Sequence, residues 1–352
     1  MDAFFAAVEV RDHPQYKGKP LIVGGSPNSR GVVSTCSYEA RKFGIHSAMA
    51  SSLAYKLCPQ AIFVRGRFDA YKEASQQVQK IFFEITDKVE MAGIDEGYLD
   101  VTENKLGEKS ATRIAGIIKK KIWERINLTA SAGVSYNKFL AKIASDLDKP
   151  DGLVVIPPNK AIEVLDSLPI RKFHGIGKVS ERKMLDLGIT NGFELRKWSL
   201  LDLTKHFGKV GKFYYDVVRG IDEREVKTYR IRKSIGKERT FLEDISNLDL
   251  LLEFLQDCSG DISQKLIEKG AKAKTITLKI KFANFEMMSK SRTLPQAVRE
   301  DFIIFQVVRD LLLRNFQKKR KIRLLGISVS GLQWSKHANE EQLLLPFEDS
   351  MI

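Results

Sequence analysis

Residues 88–102, KVEMAGIDEGYLDVT, read as two short strands meeting at a tight turn, with Asp95 and Glu96 side by side at its apex and Gly93 and Gly97 beside them. Adjacent carboxylates repel, so a chain that folds this way must leave the turn in water or bring positive charge to it. Mg²⁺ does the second well, because it wants octahedral oxygen ligands and usually takes one or two carboxylates together with substrate phosphates. A solvated acidic turn is the plain alternative, and the pair alone does not choose.

The chain around this turn has 352 residues, enough for two to four domains with cores of their own. Lys and Arg number 58 against 44 Asp and Glu, a formal charge of +14, which favours a polyanionic partner, either nucleic acid or an anionic membrane. Cys36, Cys58 and Cys258 are widely spaced and form no C-x-x-C pair, so neither a disulfide framework nor a zinc site is indicated and a reducing cytoplasm fits. The opening MDAFFAAVEV has no basic leader, and no stretch of about 18 apolar residues occurs, which disfavours secretion and membrane spanning.

The patterning is α+β and multi-domain. LIVGG (21–25) and GVVSTCS (31–37) read as strands, and Ile114, Ile118, Ile122 and Ile126 line one side of a helix expected to cover a sheet. From about 158 to 225 the pattern is helical, broken at glycines, and 219–233 reads as a charged, exposed linker. Beyond it, Ile276, Leu278, Ile280 and Phe282 alternate with Thr277, Lys279 and Lys281, a half-buried strand with one basic face. With helices at about 248–269 and 298–316, the order strand, helix, strand, strand, helix, strand is the split βαβ arrangement. The tail NEEQLLLPFEDSMI is acidic and apolar, and reads as a mobile peptide.

Other residues carry candidate chemistry. Tyr38 and Arg41, three apart in a helix start, share a face and can hold a triphosphate by hydrogen bond and bidentate guanidinium contact, although ordinary surface helices also contain both. Lys149 follows a helix ended by Pro150 and Gly152, a position that a plain C-terminal charge also explains. Phe4 reads as core, whereas the Phe5 ring, packed under a sugar, could exclude a 2'-hydroxyl by bulk. LPIRKFHGIGKVSERKMLDLGI (168–189) gives two helical stretches joined by Gly175-Ile176-Gly177 with Lys178 next, the helix-hairpin-helix pattern that binds DNA phosphates without reading sequence. A tight helical turn with no ligand is its alternative.

Taken in order, FFAAVE, YEARKFG, GRFDAYKEAS, IDEGYLDVT, TASAGVSYNKFLAKIASD, DKPDG, GIGKVS and KSIGKERT resemble the Y family of translesion DNA polymerases, in its bacterial polymerase IV type, over nearly the whole chain. The resemblance implies a right-hand fold with palm (1–8 and 68–157), fingers (9–67), a thumb with helix-hairpin-helix (158–220), a linker (221–232), a little finger (233–336) and a tail (337–352). It implies error-prone, template-directed addition of deoxynucleoside triphosphates to primer-template DNA across damaged bases; no sequence feature requires homo-oligomerisation, so a monomer is expected. Asp95 and Glu96 are then the catalytic ligands of two Mg²⁺ ions, which at about 3.5–4 Å separation stabilise attacking and leaving oxygens together. Phe5 is implied as the gate against ribonucleotides, Tyr38, Arg41 and Lys149 as the triphosphate clamp, and Gln342, Leu343, Leu345 and Phe347 as a peptide that docks on the sliding clamp.

Two departures accompany the resemblance. The family's first strand carries two aspartates before its aromatic pair; aligned on Phe4 and Phe5, Asp2 is the second, and the first, a metal ligand, falls before Met1. The expectation is a longer native product, and for this chain an α-amino cation facing the metal site, sheet neighbours short of partners and weak polymerase activity. A non-catalytic DNA- and clamp-binding protein is the competing reading. Gly93 and Gly97 replace the family's usual Ser and Ala, and are expected to loosen the hairpin without removing a ligand.

Overall fold

The computed structural model describes residues 1–316 and 319–334. These divide into two compact units, one of residues Met1–Pro27 and Gly31–Thr228, the other of Asn28–Arg30 and Tyr229 onward.

In the first unit, α1 (Phe4–Asp12) leads to β1 (Leu21–Gly24), β2 (Val33–Cys36), α2 (Tyr38–Arg41), α3 (Ser51–Leu57) and β3 (Ile62–Val64). The two strands expected from the sequence pair antiparallel, and β3 adds itself parallel to β1, giving the order β2-β1-β3. Ser37 joins this sheet to the helix after it: its hydroxyl accepts from the Leu21 amide (3.0 Å) and from the Ala40 amide (3.3 Å), capping α2 so that Tyr38 and Arg41 leave one short turn together.

The chain continues through α4 (Phe68–Ile85), β4 (Val89–Met91), β5 (Gly97–Leu99), α5 (Ala111–Ile126), β6 (Ala132–Ser135), α6 (Lys138–Leu147) and β7 (Leu153–Ile156). On α5, Ile114, Ile122 and Ile126 are buried and Ile118 is partly so, the stripe its four-residue spacing predicts. β4 pairs only with β5, antiparallel, and β6 only with β7, parallel. Residues of β5 and β6 line one cleft of about 730 Å³. The hairpin is not loose at Gly97: a Cβ there would lie 2.9 Å from the Phe82 ring and 3.3 Å from the Met91 sulfur, so the missing side chain makes room for Phe82.

A helical region follows: α7 (Ala161–Ser167), α8 (Lys178–Asp186), α9 (Gly192–Arg196), α10 (Leu200–Phe207) and α11 (Val210–Val217), sharing a core with Phe139, Leu140, Ile143 and Ala144 of α6. The stretch before Gly175 is not a full helix. It is a single 3₁₀ turn, Ile170–Lys172, bounded by Pro169, which has no amide to donate, and by Gly175 at φ 95°, a conformation only glycine adopts easily. The segment 221–228 is mostly exposed and without helix or strand, as its charge predicts, yet it is tied down. Asp222 accepts from the Phe139 amide (3.0 Å), Arg224 pairs with Asp222 (2.6 Å), and the Lys227 amide reaches Glu90 (2.7 Å). A carboxylate that caps a helix start gains from its amide donors, which holds this segment down.

The second unit has the predicted order: β8 (Ser234–Ile245), α12 (Leu248–Glu268), β9 (Ala271–Phe282), β10 (Met287–Val298), α13 (Asp301–Asn315) and β11 (Ile322–Trp334), in an antiparallel sheet β10-β9-β11-β8. Ile276, Leu278, Ile280 and Phe282 are buried with residues of both helices. The opposite face of β9 carries Thr275, Thr277, Lys279 and Lys281; its hydroxyls pair with Thr293 and Ser291, and Lys279 reaches Glu238 at 2.6 Å, so part of the expected basic face is neutralised internally.

Candidate active site

Asp95 and Glu96 stand at the turn between β4 and β5, held by two bonds in which the Ala92 and Gly93 amides donate to the Glu96 carbonyl (3.0 and 3.2 Å). Partial burial raises the Asp95 carboxyl above its ordinary value; the nearby Met1 ammonium opposes that rise and the Glu96 carboxylate adds to it. At Glu96 burial acts in the same direction, but the Lys142 ammonium, donating to Oε1 at 2.9 Å, outweighs it and holds the carboxyl below its usual range. The two neighbouring carboxyls are thus pushed apart by their surroundings.

Positive charge has been brought to the turn from two directions. Lys142 comes from α6, which is capped at Asn137 by a bond from the Leu140 amide (2.9 Å) and turned so that Lys138 and Lys142 face the hairpin, Lys138 binding Glu90 and Lys142 binding Glu96. The Met1 ammonium donates to the Asp95 carbonyl at 2.8 Å; burial lowers its pKa, and the Asp95 charge offsets part of that loss. The expected amine therefore does lie beside the acidic pair. Asp2 does not join it: one carboxylate oxygen accepts from the Ser131 hydroxyl (2.7 Å) and the other from the Asp151 amide (2.9 Å).

The donor set suits a hard divalent cation. Two carboxylates and a main-chain carbonyl, all oxygen, lie at one apex, and two ammonium groups already rest on them. Among the described residues no group of three His, Cys, Asp or Glu side chains gathers to hold a metal.

Of the triphosphate candidates, Lys149 lines the same cleft, and Tyr38 and Arg41 do not. Asp95, Glu96, Lys142, Lys149 and Met1 all line the cleft. Lys149, just past the end of α6, pairs with Asp146 at 3.0 Å. Arg41 lies over the Tyr38 ring, 4.5 Å from its centre, so the two do share a face. The Tyr38 hydroxyl is buried without a hydrogen-bond partner, and burial, followed by the charge of Asp2, raises its pKa. A buried hydroxyl left unpaired costs about 1–3 kcal/mol, which a bound acceptor such as a phosphate oxygen would recover.

Phe5 lies flat on Tyr71, ring centres 4.2 Å apart and planes within 11°, while Phe4 is buried in the core, as the sequence predicts for it. Tyr71 in turn donates to Glu9 (2.6 Å), a buried carboxylate also held by Arg67 (3.0 and 3.1 Å). The sequence reading missed this network and the Lys142–Asp146 pair. A lone Glu in the apolar run FFAAVEV, and the i,i+4 spacing of Lys142 and Asp146, were the available signals. At Gly175 a Cβ would lie 3.1 Å from the Phe213 ring, and Gly177 caps α8 without a side chain, ahead of Lys178. Gln342, Leu343, Leu345 and Phe347 lie outside the described residues.

The chain matches three family models: the impB/mucB/samB family over residues 1–146, the IMS family HHH motif over 158–189, and the impB/mucB/samB family C-terminal domain over 232–345. It is 48% identical over 344 residues to a DNA polymerase IV of Clostridium perfringens, covering 98% of this chain and 96% of that one. It is 49% identical over 348 residues to a DNA polymerase IV of Leptospira interrogans, covering 97% and 94%. Among solved structures it is similar to a Y-family DNA polymerase chimera of Dbh and Dpo4, with a TM-score of 0.86, 31% identity and coverage of 95% and 98%. An insertion ternary complex of Dbh DNA polymerase matches with a TM-score of 0.66 and 29% identity over 95% of this chain and 98% of that one.

Proposed function

From the premise that the chain belongs to the impB/mucB/samB family and is a Y-family, DNA-directed DNA polymerase, we propose that Asp95 and Glu96 are its catalytic metal ligands. The reaction is addition of a deoxynucleotide to a primer end opposite a template base, damaged bases included. The observation that carries the assignment is the pair of adjacent carboxylates in a cleft, with the Lys142 ammonium on the Glu96 carboxylate and the Met1 ammonium on the Asp95 main-chain carbonyl. Two Mg²⁺ ions, when bound, supply charge stabilisation to the attacking and leaving oxygens.

The chain's own residues do the rest. Asp95 and Glu96 hold negative charge where the primer 3'-hydroxyl and the triphosphate meet. Tyr38 donates its unpartnered hydroxyl to a phosphate oxygen, Arg41 spreads its guanidinium along the same face, and Lys149 neutralises the triphosphate from the end of α6. Phe5, floored by Tyr71, presents a flat ring that leaves no room for a 2'-hydroxyl. Gly175, Gly177 and Lys178 hold duplex phosphates without reading bases. We assign palm, fingers, thumb and little finger to the ranges given above, and to the tail residues Gln342, Leu343, Leu345 and Phe347 the docking of a sliding clamp. A monomer acting in the cytoplasm completes the reading.

Primer extension with Mg²⁺ tests the assignment, comparing this polypeptide with its Asp95→Ala form. The parent polypeptide should extend primers and lose that activity with Asp95→Ala. Extension that survives Asp95→Ala rules out the ligand assignment; DNA binding that persists while extension stays absent in every form supports the non-catalytic alternative.

A further inference from the structure

Four charged side chains run in a line from the acidic pair to the end of α6. Lys142 donates to Glu96 Oε1 at 2.9 Å and lies 3.0 Å from Asp146 Oδ2, and Asp146 Oδ1 lies 3.0 Å from the Lys149 ammonium. Glu96, Lys142 and Lys149 all line the cleft. The order alternates in sign: carboxylate, ammonium, carboxylate, ammonium. Each inner member is shared between two neighbours, so a change at one end alters what the other end can do.

We propose that Lys142 and Asp146 are positioning residues that couple metal occupancy at Glu96 to the freedom of Lys149 to bind the triphosphate. The inference rests on the metal role of Glu96 and the triphosphate role of Lys149 argued above. Before a cation arrives, Lys142 is the counter-charge on Glu96, and Asp146, shared between two lysines, holds Lys149. A divalent cation beside Glu96 repels the Lys142 ammonium and drives it onto Asp146. Asp146 is then neutralised by Lys142 and its hold on Lys149 weakens. A lysine that is held by a carboxylate until the metal is in place avoids gripping a triphosphate in an incomplete site.

This arrangement makes two variants act with opposite signs. Lys142→Met keeps the aliphatic stem but removes the ammonium, so the metal no longer competes at Glu96, while Asp146 turns wholly to Lys149. Asp146→Asn keeps the shape but removes the charge, so Lys142 rests wholly on Glu96 and Lys149 is released. Lys142→Met should therefore tighten metal binding and weaken nucleotide binding; Asp146→Asn should do the reverse. Each change should be on the order of two- to fivefold, the range for partly exposed ion pairs.

The experiment uses the full chain with a primer-template whose primer ends in a dideoxynucleotide, so that no turnover occurs. Mn²⁺ affinity is read by electron paramagnetic resonance without nucleotide, and deoxynucleotide affinity by fluorescence of a 2-aminopurine template at saturating Ca²⁺. Lys142→Arg, which keeps the charge, should return both affinities to those of the parent chain. Opposed shifts in the two variants support the coupling; shifts in the same direction, or none, overturn it. Glu96→Gln separates the layers: if it leaves Mn²⁺ affinity intact, the metal role of Glu96 falls, whereas if it abolishes binding that Lys142→Met does not alter, only the coupling falls.

Discussion

Glu9 gives the sharpest prediction outside the acidic pair, because its carboxylate is 2% exposed in the residue as a whole and carries three bonds: two from Arg67 and one from the Tyr71 hydroxyl. Breaking a buried ion pair by removing one partner costs about 3–5 kcal/mol, since the charge left behind is uncompensated. Glu9→Ala removes the carboxylate, leaving the Tyr71 hydroxyl without its acceptor in a residue with no exposure, worth about 1–3 kcal/mol. Arg67, at 40% side-chain exposure, recovers solvation in water, so its share falls toward the about 0–1 kcal/mol of a surface pair. The sum is about 1–4 kcal/mol, and at roughly 2–4 °C per kcal/mol for a unit of this size the melting temperature should fall by about 2–16 °C. Because Tyr71 floors Phe5, the same change should also raise ribonucleotide incorporation relative to deoxynucleotide. Thermal melting followed by circular dichroism, with single-nucleotide extension using both sugar types, measures the two effects. Stability within about 0.5 kcal/mol of the parent chain, the level of an ordinary surface change, would refute the reasoning.

Two further outcomes follow from the same coordinates. The raised pKa of Asp95 means that its ionisation costs stability: at pH below the ordinary aspartate value of 3.8 the group is neutral in both states and costs nothing, and the cost appears as pH rises through the folded value. Asp95→Asn should therefore raise the melting temperature at neutral pH, with a gain that shrinks as the pH falls toward 3.8; a gain independent of pH argues against burial of the charge as its cause. At Gly152 a Cβ would fall 1.7 Å from the Asp148 carbonyl oxygen, so Gly152→Ala must displace the turn that carries Lys149. It should cost about 3 kcal/mol in denaturant unfolding and weaken deoxynucleotide affinity measured by fluorescence, and an unchanged affinity would detach Lys149 from the site.

How much of this was legible in the sequence depends on the range of the interactions. The alternation from Ile276 to Phe282 and the four-residue spacing from Ile114 to Ile126 are local signals of single faces, and both elements bury those faces. β3 is a three-residue run, Ile62–Val64, that exists because β1 lies beside it, a partner about forty residues away that periodicity does not reveal. The charged stretch 221–228 has linker composition, yet Asp222 and Lys227 find partners on α6 and β4. Among the candidate site residues, Asp95, Glu96, Tyr38, Arg41 and Lys149 were singled out by residue type and spacing. Lys142 was passed over, because a lysine on an amphipathic helix is ordinarily a solvated charge, and the Glu96 carboxylate that meets this one comes from a hairpin distant in sequence.

The most direct test is the position of metal itself. Crystals of the protein with primer-template and an unreactive deoxynucleotide, grown with Mn²⁺ and measured at its absorption edge, should show an anomalous peak within coordination distance of both the Asp95 and Glu96 carboxylates, with the nucleotide phosphates on its other side. A nucleotide bound productively while those carboxylates point into solvent, with the peak elsewhere, would contradict the account.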